Sequence, residues 1–305
     1  MMVILTRKTD EQRMRNASSP KSTLGGASRG WRTVAPSLVL MAAFLTTPPA
    51  AALDAADLKA TYAITIGGIT VGRVDAEGRF SQTSYATAIR GSTSGVSRMV
   101  SDATALLAGT GRIAGTRVLP ASYSLETSEN GFETHVSMTM SGGSITDLSA
   151  QPGLLPAPDR IPVTPAHKHN VIDPVAAFFV VLDKPGMQNG PKACNRTLKV
   201  FDGWQRFDVK LYYKQTKAVD ANSDSYAGEV IVCGARYVPV AGHRPDRESV
   251  KYMADNKRIE LWLAPVKDTP YLVPYRILIG TAMGDLIIYA TRFSTEAVAH
   301  RASVN

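Results

Sequence analysis

Between Leu58 and Val71 the chain reads LKATYAITIGGITV. Tyr62, Ile64 and Ile66 alternate with Thr61, Ala63 and Thr65, the period-2 pattern of a strand with one buried face. Gly67-Gly68 follows, and a glycine pair supplies the positive φ that a two-residue hairpin turn needs. Ile69 and Val71 then begin a returning strand. The same signature recurs down the chain. Further short strands are expected at Ser84–Arg90, Ser122–Thr127, Phe132–Met140 and Ser144–Leu148, with glycine-rich turns between them. Val96–Leu107 fits a helix or a strand equally well.

The pattern breaks at residues 151–166. Pro152, Pro156, Pro158, Pro162 and Pro165 fall within fourteen residues, a density that excludes helix and central strand. This stretch reads as an extended crossing over the surface. Asp173 is then a good N-cap, and Pro174 suits a first helical position. The run Val175–Leu182 is apolar on every face, so a helix there must be surrounded by protein. Strands resume at Leu198–Phe201 and Trp204–Tyr213, flanking Asp202-Gly203, a strong hairpin signal. More are expected at Tyr226–Cys233, Ala235–Val240, Arg258–Leu263, Tyr275–Gly280 and Leu286–Phe293. A dozen or more short strands with few helices predict a mainly β protein. The expected architecture is an antiparallel open barrel or β-spiral enclosing one short apolar helix.

The first 52 residues read as a leader. Arg29 and Arg32 precede the apolar run Val34–Leu45, which is too short to span a bilayer, and Ala50-Ala51-Ala52 offers a small-residue cleavage pattern. Residues 1–52 are therefore expected to be a signal peptide with a disordered extension, and residues 53–300 a single β domain. The formal charge of +8 invites a nucleic-acid or anionic-membrane reading, which its location weakens. Seven basic and two acidic residues put +5 of it in the leader, leaving +3 over the remaining chain. So slight an excess, without a stripe of Lys and Arg among aromatics, does not suit nucleic acid. In an exported chain the two cysteines, Cys194 and Cys233, read as one disulfide.

The candidates for chemistry are few. His167 and His169, with Asp173 nearby, have two of the donors a metal needs but no placed third ligand. Gly91-Ser92-Thr93-Ser94-Gly95 carries Thr93 where a nucleophile elbow needs serine. Gly109-Thr110-Gly111 with Gly115 misses the dinucleotide spacing and lacks a βαβ unit. Asn195-Arg196-Thr197 is a formal glycosylation sequon. Trp204 and Trp262 read as packing residues. No nucleophile and base stand in a convincing set, so the expectation is a protein that is not an enzyme and has no cofactor.

Several of these stretches coincide with a known family. Val171-Ile172-Asp173-Pro174 with the apolar run after it, Cys194-Asn195-Arg196, Val200-Phe201-Asp202-Gly203 with Arg206, and Gly228 ahead of Cys233 all match. So do Tyr237–Gly242, Pro274-Tyr275-Arg276 and Thr281–Gly284. On these blocks the chain resembles the proteobacterial "domain of unknown function 3108" proteins over most of residues 58–293. That family is similar, more distantly, to periplasmic envelope-integrity proteins of α-proteobacteria with a β-spiral fold and one disulfide. The resemblance implies a periplasmic location and a role in envelope maintenance. It supplies no catalytic residues. The expected function is support of cell-envelope integrity through binding of a peptide or protein partner. The alternative is a carrier for a lipid or other hydrophobic ligand inside an open barrel.

Overall fold

The structure is a computed structural model, which describes residues 55–95, 101–184, 190–220 and 225–298. The expected leader, residues 1–52, and part of the ambiguous segment Val96–Leu107 lie outside the described residues. Two antiparallel meanders make up the molecule. The first comprises β1 (Ala55–Ile66), β2 (Ile69–Ser81), β3 (Ser84–Thr93), β4 (Ala103–Ala114), β5 (Arg117–Glu129), β6 (Phe132–Ser141) and β7 (Ser144–Gln151). The second runs from β9 (Arg196–Phe201) through β10 (Arg206–Val219), β11 (Gly228–Ala241), β12 (Ile259–Pro265) and β13 (Tyr271–Thr281) to β14 (Gly284–Val298). β1 pairs with β14 along its whole length, from Ala55↔Val298 to Ile66↔Leu286, and fuses the two meanders into one sheet. Its order is β7-β6-β5-β4-β3-β2-β1-β14-β13-β12-β11-β10-β9. The sheet does not close, because β7 and β9 do not pair with each other.

A strap spans the gap between these edges. Val171 N–H donates to the Gly143 carbonyl in the β6–β7 turn at 2.9 Å. Ile172 forms a parallel bridge with Val200 of β9, giving its N–H to Lys199 O and accepting from Phe201 N–H. The turn after β9 also touches the first meander. A Cβ on Gly203 would lie 2.8 Å from a Val136 methyl of β6, and its φ of +106° suits glycine alone.

Period-2 patterning fills the interior as expected. Ala56, Leu58, Ala60 and Tyr62 of β1 are buried with Phe80, Tyr85, Tyr271, Val273 and Phe293 from neighbouring strands. Burial of each large apolar side chain contributes roughly 1.5–3 kcal/mol. At the centre, the rings of Phe80, Tyr85, Phe179 and Tyr271 meet with centroids 4.6–5.7 Å apart.

The enclosed apolar segment takes a different form from the one its sequence predicts. Val175, Ala176 and Val181 are wholly buried, so enclosure holds. A continuous helix does not form. Ala176–Phe178 is a single 3₁₀ turn, and Val180–Val181 is a short strand, β8, paired with Tyr271 and Leu272 of β13. So short a segment, rich in β-branched residues, repays helix nucleation poorly, and β13 offers backbone partners instead. Tyr226–Cys233 and Ala235–Val240 also merge. From Gly228 onward they form one strand, β11, because Gly234 is a close-approach site under the Tyr212 ring rather than a turn. Two short helices, α1 (Gly190–Cys194) and α2 (Glu248–Asp255), were not expected from the sequence. Among the described residues no helix is long and apolar enough to cross a membrane.

Candidate functional site

The strap and the β9–β10 turn bring two buried aspartates to the seam of the sheet. Asp173 is wholly buried. Its Oδ1 accepts the N–H groups of Val175 at 2.7 Å and Ala176 at 2.9 Å, with Pro174 as the first residue of the turn. Asp202 repeats the arrangement. Its Oδ1 accepts from Trp204 N–H at 2.9 Å and Gln205 N–H at 2.7 Å. The expected two-residue Asp202-Gly203 hairpin is therefore a four-residue loop, with Phe201 paired to Arg206. Trp204 belongs to that loop and gives its indole N–H to the Pro152 carbonyl.

The two carboxylates share a surrounding of phenols. Burial pushes the Tyr123 hydroxyl well up, and the negative charges of Asp202 and Asp173 add to the shift. Tyr85 is raised by burial first and then by Asp173, and Tyr237 by burial and then by Asp202. Asp173 itself is pushed up to about 7 by burial, against the lowering effect of the Ala176 and Val175 N–H bonds. Its Oδ2 and the Tyr85 hydroxyl are both buried and have no hydrogen-bond partner among the described residues. Two glycines of β4 make room for this cluster. A Cβ on Gly109 would stand 3.0 Å from Val175, and one on Gly111 would stand 2.6 Å from the Tyr85 ring. The Gly109-Thr110-Gly111 motif is thus a packing notch, not a phosphate loop.

Around the loop, Arg206 is buried beside Asp208 at 2.7 Å. His243 is buried too, and desolvation pushes its imidazole down. The disulfide Cys194–Cys233 ties the end of α1 to β11 with Cα atoms 5.4 Å apart. Both cysteines are fully buried. His167 and His169 do not converge. The His167 ring accepts Thr164 N–H, and His169 Nδ1 contacts the Ser144 hydroxyl. Thr93 Oγ1 accepts the Ala103 N–H within the sheet. Among the described residues no three His, Cys, Asp or Glu side chains gather as metal ligands.

The seam leaves its two edges in different states. Ile172 covers β9 at Lys199 and Phe201. Among the described residues β7 pairs with β6 from Ser144 to Gln151 and with no other strand. A bulge interrupts the pairing between Thr139 and Met140, but Asp147–Gln151 is regular. A regular edge strand presents unpaired N–H and C=O groups to any extended chain that approaches. Asp147 and Ser149 are exposed along it. The sequence pattern marks β7 as a strand but not as an edge, since edge position depends on the order of the whole sheet.

An open, antiparallel, barrel-like sheet, strapped across its gap and bound by one disulfide, is the class this molecule defines. The chain belongs to the family described as "Protein of unknown function (DUF3108)", whose model matches residues 61–291. Among solved structures it is similar to a β-barrel-like protein of domain of unknown function DUF1849 from Brucella abortus. The two share 10% identity over 80% of this chain and 98% of the other, with a TM-score of 0.43. No curated protein matches the chain.

Proposed function

We propose that this protein is a non-enzymatic module of the bacterial periplasm that supports cell-envelope integrity by binding an extended segment of a protein partner along β7. The observation that carries the reading is the asymmetry of the seam. The strap caps one sheet edge, and among the described residues the regular stretch Asp147–Gln151 of the other has no second partner strand. Addition of a peptide strand to such an edge gains main-chain hydrogen bonds, with side chains on alternate faces setting specificity. The disulfide suits an oxidising compartment, which supports the periplasmic location. The lipid-carrier alternative has less support, because the rings of Phe80, Tyr85, Phe179 and Tyr271 occupy the interior between β2, β3 and β13.

The test is complementation of a deletion strain under detergent stress. Asp147→Lys with Ser149→Lys places two positive charges on the exposed edge, a device that deters strand addition. The doubly substituted protein should melt like the wild type yet fail to restore resistance. Full restoration would remove β7 from the function.

A further inference from the structure

Far from the seam, three strands build a cationic site around one indole. Lys217 of β10 holds its Nζ 5.1 Å from the centroid of the Trp262 ring, and the Arg276 guanidinium of β13 lies 5.0 Å from it. The Trp262 N–H donates to Glu260 Oε2 at 3.0 Å, and the Lys214 ammonium donates to the other oxygen. Burial pulls the Glu260 carboxyl up, but Lys214, Trp262 and Arg276 together hold it below the usual carboxylate range. One ionised carboxylate therefore faces three cations. Glu229, which acts on the Tyr226 phenol, adds a second carboxylate beside the rim, so among the described residues the cations outnumber the carboxylates by one, and Glu260 is already engaged by Lys214 and Trp262.

A second observation points the same way. The Nε of Arg276 is buried and has no acceptor among the described residues. A buried donor without an acceptor costs about 1–3 kcal/mol, and more when it is charged. An arriving oxyanion would remove that cost. A planar guanidinium suits a phosphate through paired N–H bonds, and Lys217 adds a mobile point charge.

The rim of the cluster is aromatic and joins the apolar interior. Tyr275 precedes Arg276 and is set 6.1 Å from Tyr226, which lies 5.6 Å from Phe293. Tyr226, Tyr275 and Trp262 are partly buried and pack against the core. On the next strand Tyr289 stands opposite Arg276 and is exposed. Aromatic residues with a polar tip suit a boundary where one end of a ligand is wet and the other apolar.

We propose that Arg276, Lys217 and Trp262 bind the phosphate group of an anionic amphiphile of the glycerophospholipid class, with the partly buried Tyr226 and Tyr275 and the exposed Tyr289 against its apolar part. Free phosphate shares the headgroup chemistry but would leave the aromatic rim unused. The site does not involve β7, so its failure leaves the strand-addition reading standing, and the converse holds.

Dihexanoyl phosphatidylglycerol, kept below its micelle concentration, is titrated into the purified protein with its disulfide intact, and tryptophan fluorescence reports binding. Dihexanoyl phosphatidylcholine, inorganic phosphate and an acidic peptide are titrated in parallel. The phosphatidylglycerol should bind best and should weaken with added salt. Lys217→Gln should lose about tenfold in affinity, and Arg276→Gln at least as much. Lys217 is exposed, so its variant tests the site even if Arg276→Gln fails to fold. Equal binding of phosphatidylcholine with Lys217→Gln unaffected would overturn the proposal. Inorganic phosphate or the acidic peptide binding as tightly as phosphatidylglycerol would overturn the amphiphile assignment.

Discussion

Replacing Asp173 by asparagine should flatten part of the pH dependence of stability. A carboxyl of pKa about 7 in the fold, against 3.8 when exposed, binds its proton more tightly in the folded state. Below about pH 4 both states are protonated and Asp173 contributes no pH dependence. From there to about pH 7 the unfolded chain releases the proton while the folded protein keeps it, so stability falls as pH rises. Above pH 7 the loss levels off. Three pH units at 1.36 kcal/mol each make the full loss about 4 kcal/mol, an upper figure for a buried group. Asparagine keeps the oxygen that accepts from Val175 and Ala176, and it cannot ionise. The variant should match the wild type within about 1 kcal/mol at pH 4, already exceed it by about 1–2 kcal/mol at pH 5, and exceed it by up to about 4 kcal/mol at pH 8. Asp173→Ala removes the acceptor as well. It leaves two buried N–H groups unpaired and should cost about 2–5 kcal/mol at pH 5. Urea denaturation of wild type, Asp173→Asn and Asp173→Ala at half-unit steps from pH 4 to pH 8 measures each difference, and taking differences cancels the titration of other groups. If the wild type and Asp173→Asn keep a constant separation across that range, Asp173 does not carry the proton and the reasoning fails.

Three further predictions follow from other parts of the fold. Cys194→Ser combined with Cys233→Ser opens a loop of 39 positions and should cost about 4 kcal/mol in the chain-entropy model, lowering the melting temperature by roughly 10 °C, whereas unchanged melting would contradict a structural role. Gly242→Ala should cost about 3 kcal/mol or more, since its φ is +81° and a Cβ would fall 2.1 Å from the Trp204 carbonyl oxygen; a loss below about 1 kcal/mol in urea would show that the β9–β10 loop yields easily. N-terminal sequencing of protein from its native host should begin within a few residues of Ala52, and an intact Met1 or Met14 terminus would defeat the leader reading.

What was legible in the sequence was local. Alternation around Tyr62 and Ile64 and the glycine pair at 67–68 give the β1–β2 hairpin, because strand period and turn geometry act over a few residues. Asp173 and Asp202 also stand out, one as a cap before a proline and one before a glycine. What each does there is settled by distant chain. Asp202 turns two N–H groups inward and stretches an expected two-residue turn to four. Asp173 starts its turn as a cap should, but the helix expected after it gives way once β13 supplies partners for Val180 and Val181. The β1–β14 pairing that makes one sheet from two meanders joins residues more than two hundred positions apart, and no periodicity records such a contact. The same limit hid the Trp262 site. Lys217, Glu260, Trp262 and Arg276 come from three strands, and each is an ordinary residue in its own segment. Local pattern specifies which residues face inward. The register between distant strands decides which of them meet, and unmatched groups such as Asp173 Oδ2 at the seam and Arg276 Nε beside Trp262 exist only at that second level. Unpaired buried polar atoms are costly and therefore few in a folded protein. At Asp173 and Arg276, substitution separates a structural role from a binding or proton-holding one.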